Sequence, residues 1–170
     1  MSAQDDLAII AQQEKALQFT AFNATTAWQI GSLLRDQLLA LNAGATLEIE
    51  VDRQLLFAAT TPGAEPGQAD WIRRKRNTVH RFHHSSYRYD RTLERDGQTI
   101  DAMLTRHGIS PSDFSTHGGG FPIFIAGTCV GSILVSGLHQ RDDHGLIVST
   151  LSSFLGIPVP TLPANPHPNG

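Results

Sequence analysis

Hydrophobic and polar positions follow two different periods along the chain, and the changes of period predict an order of elements. Apolar residues spaced three and four apart predict helices, and short runs rich in branched and aromatic residues predict strands. The predicted helices cover residues 3–17, 24–43, 69–96 with a break near Ser85-Ser86, 98–107 and 142–155. The predicted strands lie in 18–22 and in two hairpins, 46–60 and 117–137.

This order predicts the fold class and the domain organisation. Because strands come in antiparallel pairs and do not alternate singly with helices, the pattern predicts an α+β sheet and not a doubly wound parallel one. The length of 170 residues is typical of one domain, which we place at residues 1–155. Residues 156–170 carry five of the nine prolines and no periodicity, which predicts a tail that is extended, disordered or laid on a neighbour.

Composition and charge narrow the class of protein. With 40% hydrophobic and 17% charged residues and no long apolar run, the chain is typical of a globular domain and predicts no membrane span. Acidic residues stand where a secretion signal needs positive charge. A single cysteine, Cys129, cannot form an internal disulfide. The sequence therefore predicts a protein of the reducing cytoplasm.

One segment is strongly basic inside a chain of net charge −3. Eight of the thirteen Lys and Arg residues lie within residues 71–95. One column of the predicted helix carries Arg76, His80 and His83, with Arg73 alongside. Guanidinium and imidazole groups in this arrangement can converge on one anionic ligand. The alternative is a solvated face that pairs with the chain's own carboxylates.

Two other functions of this helix are disfavoured. His80 and His84 have the spacing of shared metal ligands, but the Glu of the HExxH pattern is missing and neighbouring arginines would repel a dication. Nucleic-acid binding would use the cations and nearby aromatic rings, yet the chain as a whole is acidic. We therefore expect no metal site and no nucleic-acid partner.

Lys75 interrupts the apolar face of the same helix. Ile72, Val79 and Phe82 form that face, and Lys75 falls in its middle. Because a buried and unpaired charge is costly, this lysine must extend to water, pair with a carboxylate or face a cavity. The sequence leaves these outcomes open.

A run of three glycines, Gly118, Gly119 and Gly120, precedes a predicted strand. In a nucleotide-binding loop the glycines instead follow a strand and open a helix, so that function is disfavoured. Glycines allow positive φ and close approach to a ligand or another chain, although a tight loop that feeds a hairpin explains the run equally well. His117, at the entrance of the run, is the titratable side chain best placed to meet a ligand. No residue set matches a catalytic template.

The C-terminal third of the chain resembles a known signature. The stretch HGGGFPIFIAGTCVGSILVSG, followed by RDDHGLI, is similar to the pattern of the GlcG/HbpS-like superfamily, the haem-degrading-domain proteins. The residues that carry this resemblance are Gly118 to Gly120, Pro122, Ile123, Val130, Gly131, Val135, Ser136, Gly137 and Asp143. The stretches LQFTAFNATTAWQIGSLL and DWIRRKRNTVHRFHHSSY resemble a narrower branch of uncharacterised bacterial and fungal proteins, so that the resemblance spans most of residues 17–155.

The resemblance carries expectations about fold and ligands. It implies a profilin-like α+β domain with α/β/α layers around a five-stranded antiparallel sheet, which assembles as dimers or higher oligomers. Relatives elsewhere in the superfamily bind haem or cobalamin-related ligands. The resemblance implies no firm reaction and transfers no iron ligand residue by residue.

Our leading hypothesis is a cytoplasmic homo-oligomer that binds an anionic small molecule, with haem as one candidate. The ligand would lie between the helix of Arg73 to His84 and the loop of Gly118 to Gly120. Arg73 and Arg76 would hold its carboxylates, and His80, His83 or His117 would donate hydrogen bonds or ligate iron. The alternatives are an assembly module without ligand chemistry, and an enzyme that uses these histidines on a small organic acid.

Overall fold

The computed structural model describes residues 2–164 and contains six α-helices, one 3-10 turn and five strands. The helices are α1 Ala3–Ala16, α2 Ala24–Ala40, α3 Gln68–Phe82, α4 Ser86–Arg95, α5 Ile100–Arg106 and α6 Gln140–Leu155. The strands are β1 Gln18–Phe19, β2 Thr46–Val51, β3 Gln54–Thr60, β4 Gly120–Ile125 and β5 Thr128–Ser136. The predicted order of elements is therefore confirmed.

Local capping explains where the helices begin and end. The side chain of Asn23 accepts a hydrogen bond from the backbone N–H of Thr26 at the start of α2. Helix α3 ends at Phe82 because His83 adopts the left-handed conformation, with φ 56°. Ser85 then caps α4 by accepting a hydrogen bond from the N–H of Arg88. These two features produce the predicted break in the basic segment.

The five strands form one sheet in the order β1-β4-β5-β2-β3. Both hairpins and the β2–β5 pair are antiparallel. The fold class is confirmed with one difference, since the two-residue strand β1 pairs with β4 in parallel and makes the sheet mixed. The direction of β1 is fixed by a partner more than a hundred residues away, which no local pattern records.

The sheet separates an apolar layer from a polar one. Alternate residues of β2, such as Leu47 and Ile49, are fully buried in a core shared with α2 and α6. The residues between them, Glu48 and Glu50, face the opposite side and meet α3. Helix α3 therefore covers the second face of the sheet, and the layers follow the expected α/β/α arrangement.

The two ends of the described chain lie together. Asp6 and Glu14 of α1 are buried and paired with Arg141 and Arg88 respectively. Beyond α6, residues 157–164 have no regular secondary structure, and the carbonyl of Pro160 accepts a hydrogen bond of 2.7 Å from Gln13. This part of the predicted tail thus lies on its own chain, while residues 165–170 are outside the described residues. Within residues 2–164 there is no helix with the length and apolar character that crossing a membrane requires.

Candidate functional site

The structure divides the eight predicted ligand-binding residues between two places, with one arginine apart from both. Arg76 and His80 lie in the C-terminal half of α3 and His83 directly follows it, near the β2–β3 turn and the start of β5. His117 and the glycine run lie beside Lys75 and the start of α6. The single site proposed between helix and loop therefore becomes a cleft and a separate, smaller cavity.

Arg73 is half exposed and paired with two carboxylates of its own chain. Its guanidinium lies 2.9 Å from Asp70 and 2.9 Å from Asp113, and it also donates to the backbone carbonyl of Ser112. This arrangement matches the solvated face that we gave as the alternative for the basic helix, and it leaves Arg73 at a surface contact between α3 and the 3-10 turn.

Arg76 and His80 lie beside carboxylates that project from β2 and share one of them, Glu50. The Arg76 guanidinium pairs with Glu48, and its Nε lies 3.0 Å from Glu50. His80 Nε2 lies 3.5 Å from the other oxygen of Glu50, outside hydrogen-bond geometry. Burial lowers the pKa of His80, against the attraction of Glu50, and the cations of Arg76 and Arg53 lower it further. The lowered pKa favours the neutral imidazole, in which one ring nitrogen is an acceptor.

A cleft of about 310 Å³ opens beside this cluster. It lies between the C-terminal end of α3, the β2–β3 turn and the start of β5. Its lining residues are Asp52, Arg53, His80, His83, Thr128, Cys129, Val130 and Gly131. Burial raises the pKa of the Cys129 thiol, so that this group is protonated and a poor nucleophile. Imidazoles are thus the strongest ligands that the cleft presents.

The β2–β3 turn holds Arg53 at the rim of the cleft in an uncommon conformation. Asp52 and Arg53 have φ values of 50° and 64°, the left-handed region that asparagine and glycine normally occupy in a two-residue hairpin. Such a conformation costs free energy for an ordinary side chain, and it persists here because both flanking strands are paired. The turn gives the cleft one exposed guanidinium.

The second cavity, of about 160 Å³, lies at the other end of α3. Its lining residues are Trp71, Lys75, His117, Ser136, Leu138, Gln140 and Asp143. Lys75 Nζ donates to the carbonyl of Val135 at 2.8 Å and lies 3.3 Å from Asp143 Oδ2. The side chains of Lys75 and Asp143 are only 4% and 2% exposed. Of the three outcomes left open for Lys75, the structure combines pairing and facing a cavity.

The glycine run packs directly on this ion pair. Gly119 has φ 111°, and a Cβ there would lie 2.8 Å from Lys75 Nζ and 2.3 Å from the carbonyl of Val135. The hydroxyl of Ser86 donates to the carbonyl of His117 at 2.6 Å and accepts from the N–H of Gly120 at 3.0 Å. The loop is therefore a tight connection that covers the buried pair. His117 stacks on Trp71 with a centroid distance of 5.1 Å.

Burial shifts the two partners of the pair in opposite directions. It raises the pKa of Asp143 to about 6, although the Lys75 cation and the N–H of Leu138 act to lower it. It lowers the pKa of Lys75, although the Asp143 carboxylate acts to raise it. Both shifts favour the neutral forms. The Lys75 amine and the Asp143 carboxylate therefore differ less in their affinity for a proton than the same two groups would in water.

Asp143 was absent from the predicted site residues, and Lys75 was noted only as an interruption of an apolar face. Asp143 lies in the first turn of α6, 68 residues further along the chain. The position of Lys75 on the apolar face of the predicted helix indicated one member of this pair. Its partner could not be found by spacing, because the fold alone brings α3 and α6 together.

Comparison with protein families gives a match over most of the chain. The family described as "Haem degrading protein HbpS-like" matches residues 22–152. A UPF0303 protein of Rhizobium leguminosarum bv. trifolii is 42% identical over 167 residues, which cover 98% of this chain and 99% of that protein. A UPF0303 protein of Serratia proteamaculans is 43% identical over 163 residues, covering 95% of this chain and 99% of that protein.

Solved structures with the same fold are more distant in sequence. The Ybr137w protein has a TM-score of 0.79 at 23% identity and covers 88% of this chain and 87% of its own. HbpS has a TM-score of 0.62 at 17% identity, covering 82% and 93%. A PduOC:Heme complex has a TM-score of 0.65 at 15% identity, covering 83% and 98%. These likenesses show the fold, and the family match over residues 22–152 establishes that the chain belongs to the HbpS-like family.

Proposed function

We propose that the chain is a homo-oligomeric small-molecule-binding protein of the haem-degrading-domain type, and that its cleft takes an anionic ligand, with haem as the first candidate. The observation that carries this proposal is the half-buried imidazole of His80, which lies 3.5 Å from Glu50 and lines an open cleft with His83. The expected cytoplasmic location stays a prediction.

The relatives support haem as the candidate. The matching family is described by haem degradation, and one structural neighbour is a complex with haem. The binding residues of the proposal come from the cleft of this chain.

The residues of the cleft fit an iron porphyrin held by one edge. His80 Nε2 lies 3.5 Å from Glu50, so a small turn of the ring would let it donate to this carboxylate and leave Nδ1 with a free lone pair, as in the usual carboxylate-oriented histidine ligand. Arg53 offers a guanidinium to a propionate. The volume of about 310 Å³ lies at the lower end of ligand pockets, so part of a macrocycle would stay outside.

The histidines and the arginines of α3 have different tasks in this proposal. Bound haem would supply an iron centre for ligand or electron chemistry. His80 and His83 would ligate iron or donate hydrogen bonds, and Arg76 would hold Glu50 behind His80. Arg73 receives no part, because it pairs with Asp70 of α3 and Asp113 of the 3-10 turn and does not line the cleft.

Hemin titration tests the proposal directly. We expect hemin to bind stoichiometrically, as read from the Soret band and from native mass spectrometry. Replacing His80 and His83 together by alanine should weaken binding at least about tenfold, since a lost axial ligand costs more than 1.4 kcal/mol. The matched control is His107→Ala, an exposed histidine at the end of α5 that lies outside the cleft.

Two results would count against the haem proposal. The first is hemin uptake no better than by an unrelated acidic protein. The second is equal affinity of the wild type and the His80→Ala/His83→Ala variant, which would move the ligand away from this cleft.

A specific feature also supports self-assembly, the second candidate function. Strand β3 forms one edge of the sheet, and its seven residues carry no charged side chain. Natural edge strands usually avoid this arrangement by charge or proline. Leu55 on β3 and Trp28 on α2 are 56% and 67% exposed. A second copy could pair its own β3 antiparallel to this edge, which gives a closed twofold contact.

The edge can be tested with a matched pair of variants. Leu55→Lys should reduce the oligomer mass in native mass spectrometry, because it places a charge in the strand contact. Leu41→Lys changes an equally exposed leucine, 59% against 56%, that lies beside α6 and should leave the oligomer intact. An unchanged oligomer in the Leu55→Lys variant would reject this edge as the interface.

A further inference from the structure

The cavity at Lys75 has chemistry that the proposed haem cleft does not use. The chain has only two lysines, Lys15 and Lys75. Lys15 is exposed on α1, whereas Lys75 is buried and lines the cavity together with polar groups of β5 and α6. The buried amine sits next to a carboxylate and an empty space of about 160 Å³, an arrangement with the parts of a reaction site.

We propose that this cavity is a second site, in which the amine of Lys75 forms an imine with a small aldehyde or 2-oxo acid while Asp143 accepts the amine's proton. The inference is independent of the cleft and of haem.

The size of the cavity limits the substrate class. The cavity of about 160 Å³ is roughly half the size at which drug-sized ligand pockets begin, about 300 Å³. Glyoxylate, with five non-hydrogen atoms, and pyruvate, with six, are therefore the compounds that suit it best.

The geometry provides the proton acceptor that imine formation needs. The ammonium of Lys75 passes one proton to the carboxylate of Asp143, 3.3 Å away, and the neutral nitrogen attacks the carbonyl carbon. The carbonyl oxygen takes protons from Asp143 and from the nitrogen and leaves as water while the C=N bond forms. An ammonium and a carbonyl compound thus become a protonated imine and water, with no oxidant or reductant.

Other lining groups can hold the carboxylate of such a substrate. The Oε1 atom of Gln140 accepts from the N–H of Gly118 at 3.3 Å, which leaves its NH₂ group as a donor for a ligand. The hydroxyl of Ser136 and the imidazole of His117 line the same cavity. These three donors surround a site whose nucleophile is Lys75.

A purely structural ion pair explains the arrangement less well. An apolar pair of similar volume in the same place would often be as stable or more stable than a buried Lys–Asp pair. The ammonium has three donors, and within residues 2–164 its partners are the Val135 carbonyl and Asp143 alone. The remaining N–H is available to a molecule in the cavity.

Reductive trapping tests the inference on the unmodified full chain. The protein is incubated with glyoxylate and cyanoborohydride at pH 7.5, and peptide mass spectrometry measures carboxymethylation of Lys75 against Lys15. Burial lowers the pKa of Lys75, and Asp143 lies 3.3 Å away to accept its proton, so the neutral and nucleophilic form of this amine is favoured. We therefore expect Lys75 to be carboxymethylated faster than Lys15.

Two controls make the result specific. In urea both lysines should react at similar rates, because the difference depends on the fold. Pyridoxal 5′-phosphate, which is too large for the cavity, should label Lys15 and spare Lys75. Slower or equal labelling of Lys75 by glyoxylate in the folded protein would overturn the inference, and so would labelling of Lys75 by the large aldehyde at the rate of Lys15.

Discussion

The buried pair of Lys75 and Asp143 gives a stability prediction that the structure specifies closely. Lys75→Met keeps most of the side-chain volume but leaves Asp143, 2% exposed, without its counter-charge. Removing one partner of a buried pair costs about 3–5 kcal/mol. For a domain of this size each kcal/mol lowers Tm by about 2–4 °C, so the expected loss is roughly 6–20 °C.

The second variant separates charge from packing. Asp143 accepts hydrogen bonds from the N–H of Leu138 at 3.0 Å and of Gly137 at 3.4 Å. Asn in its place keeps an oxygen acceptor and carries no charge. The double variant Lys75→Met/Asp143→Asn should therefore be more stable than Lys75→Met alone, by about 2 kcal/mol if the uncompensated charge dominates the loss.

The pH dependence follows from the direction of the Asp143 shift. Its pKa is raised in the folded protein from 3.8 to about 6, so the folded state binds a proton more tightly than the unfolded state. Stability from this group is therefore lost as the pH rises from about 4 through 6. Without Lys75 the pKa rises further, so the cost of Lys75→Met should be larger at pH 8 than at pH 5.

Urea unfolding at both pH values measures these free energies by linear extrapolation. Lys15→Met is the matched control, because it removes the other, exposed lysine and should change stability by no more than about 0.5 kcal/mol. The reasoning is refuted if Lys75→Met costs less than about 1 kcal/mol. It is also refuted if the stability lost by the double variant equals the sum of the losses of Lys75→Met and Asp143→Asn measured separately.

Three further predictions concern a glycine, a histidine and the cysteine. Gly119→Ala should destabilise the fold by more than about 2 kcal/mol, because its φ is 111° and the added Cβ would lie 2.3 Å from the Val135 carbonyl. The control Gly145→Ala, inside α6 with open space around it, should stabilise the fold by about 0.5–1 kcal/mol. Equal effects of the two variants in thermal melts would contradict this prediction. Burial lowers the pKa of His144 from 6.5 to about 4, so its contribution to the free energy of unfolding is complete above pH 6.5 and is lost as the pH falls towards 4. In His144→Gln the loss of stability over this pH range should be smaller by roughly 3 kcal/mol, as measured by urea unfolding. An unchanged pH profile would contradict this prediction. Cys129 should react with iodoacetamide more slowly than a free thiol at pH 7.5, since burial raises its pKa, and a rate equal to that of free cysteine would contradict the half-buried position.

Local pattern was sufficient for the order of elements. The break between α3 and α4, the helix of α6 and both hairpins each depend on caps and periods within a few residues. The parallel pairing of β1 and the position of β3 at an edge depend on contacts far apart in sequence. These features set the sheet type and the exposed edge, and no local signal specifies them.

The candidate site was predicted in composition more than in arrangement. Spacing placed Arg76, His80 and His83 together, and they do share one end of α3. Their carboxylate partners come from β2, and the glycine run turned out to cover Lys75. A helical wheel gives the direction of a side chain but not the charge that faces it. The separation of the predicted residues between the cleft and the Lys75 cavity could therefore not be predicted from the sequence.

The polarity of one layer is the strongest reason to look for function there. The sheet face under α2 and α6 is apolar, as burial of a helix on a sheet requires. The face under α3 instead presents Glu48, Glu50 and Ser132, and the Ser132 hydroxyl has no hydrogen-bond partner within residues 2–164. Burying such groups lowers stability unless each is fully paired, and departures of this kind concentrate at functional sites. The cleft and the Lys75 cavity both open from this polar layer, at its two ends, where a ligand could reach His80 and Lys75.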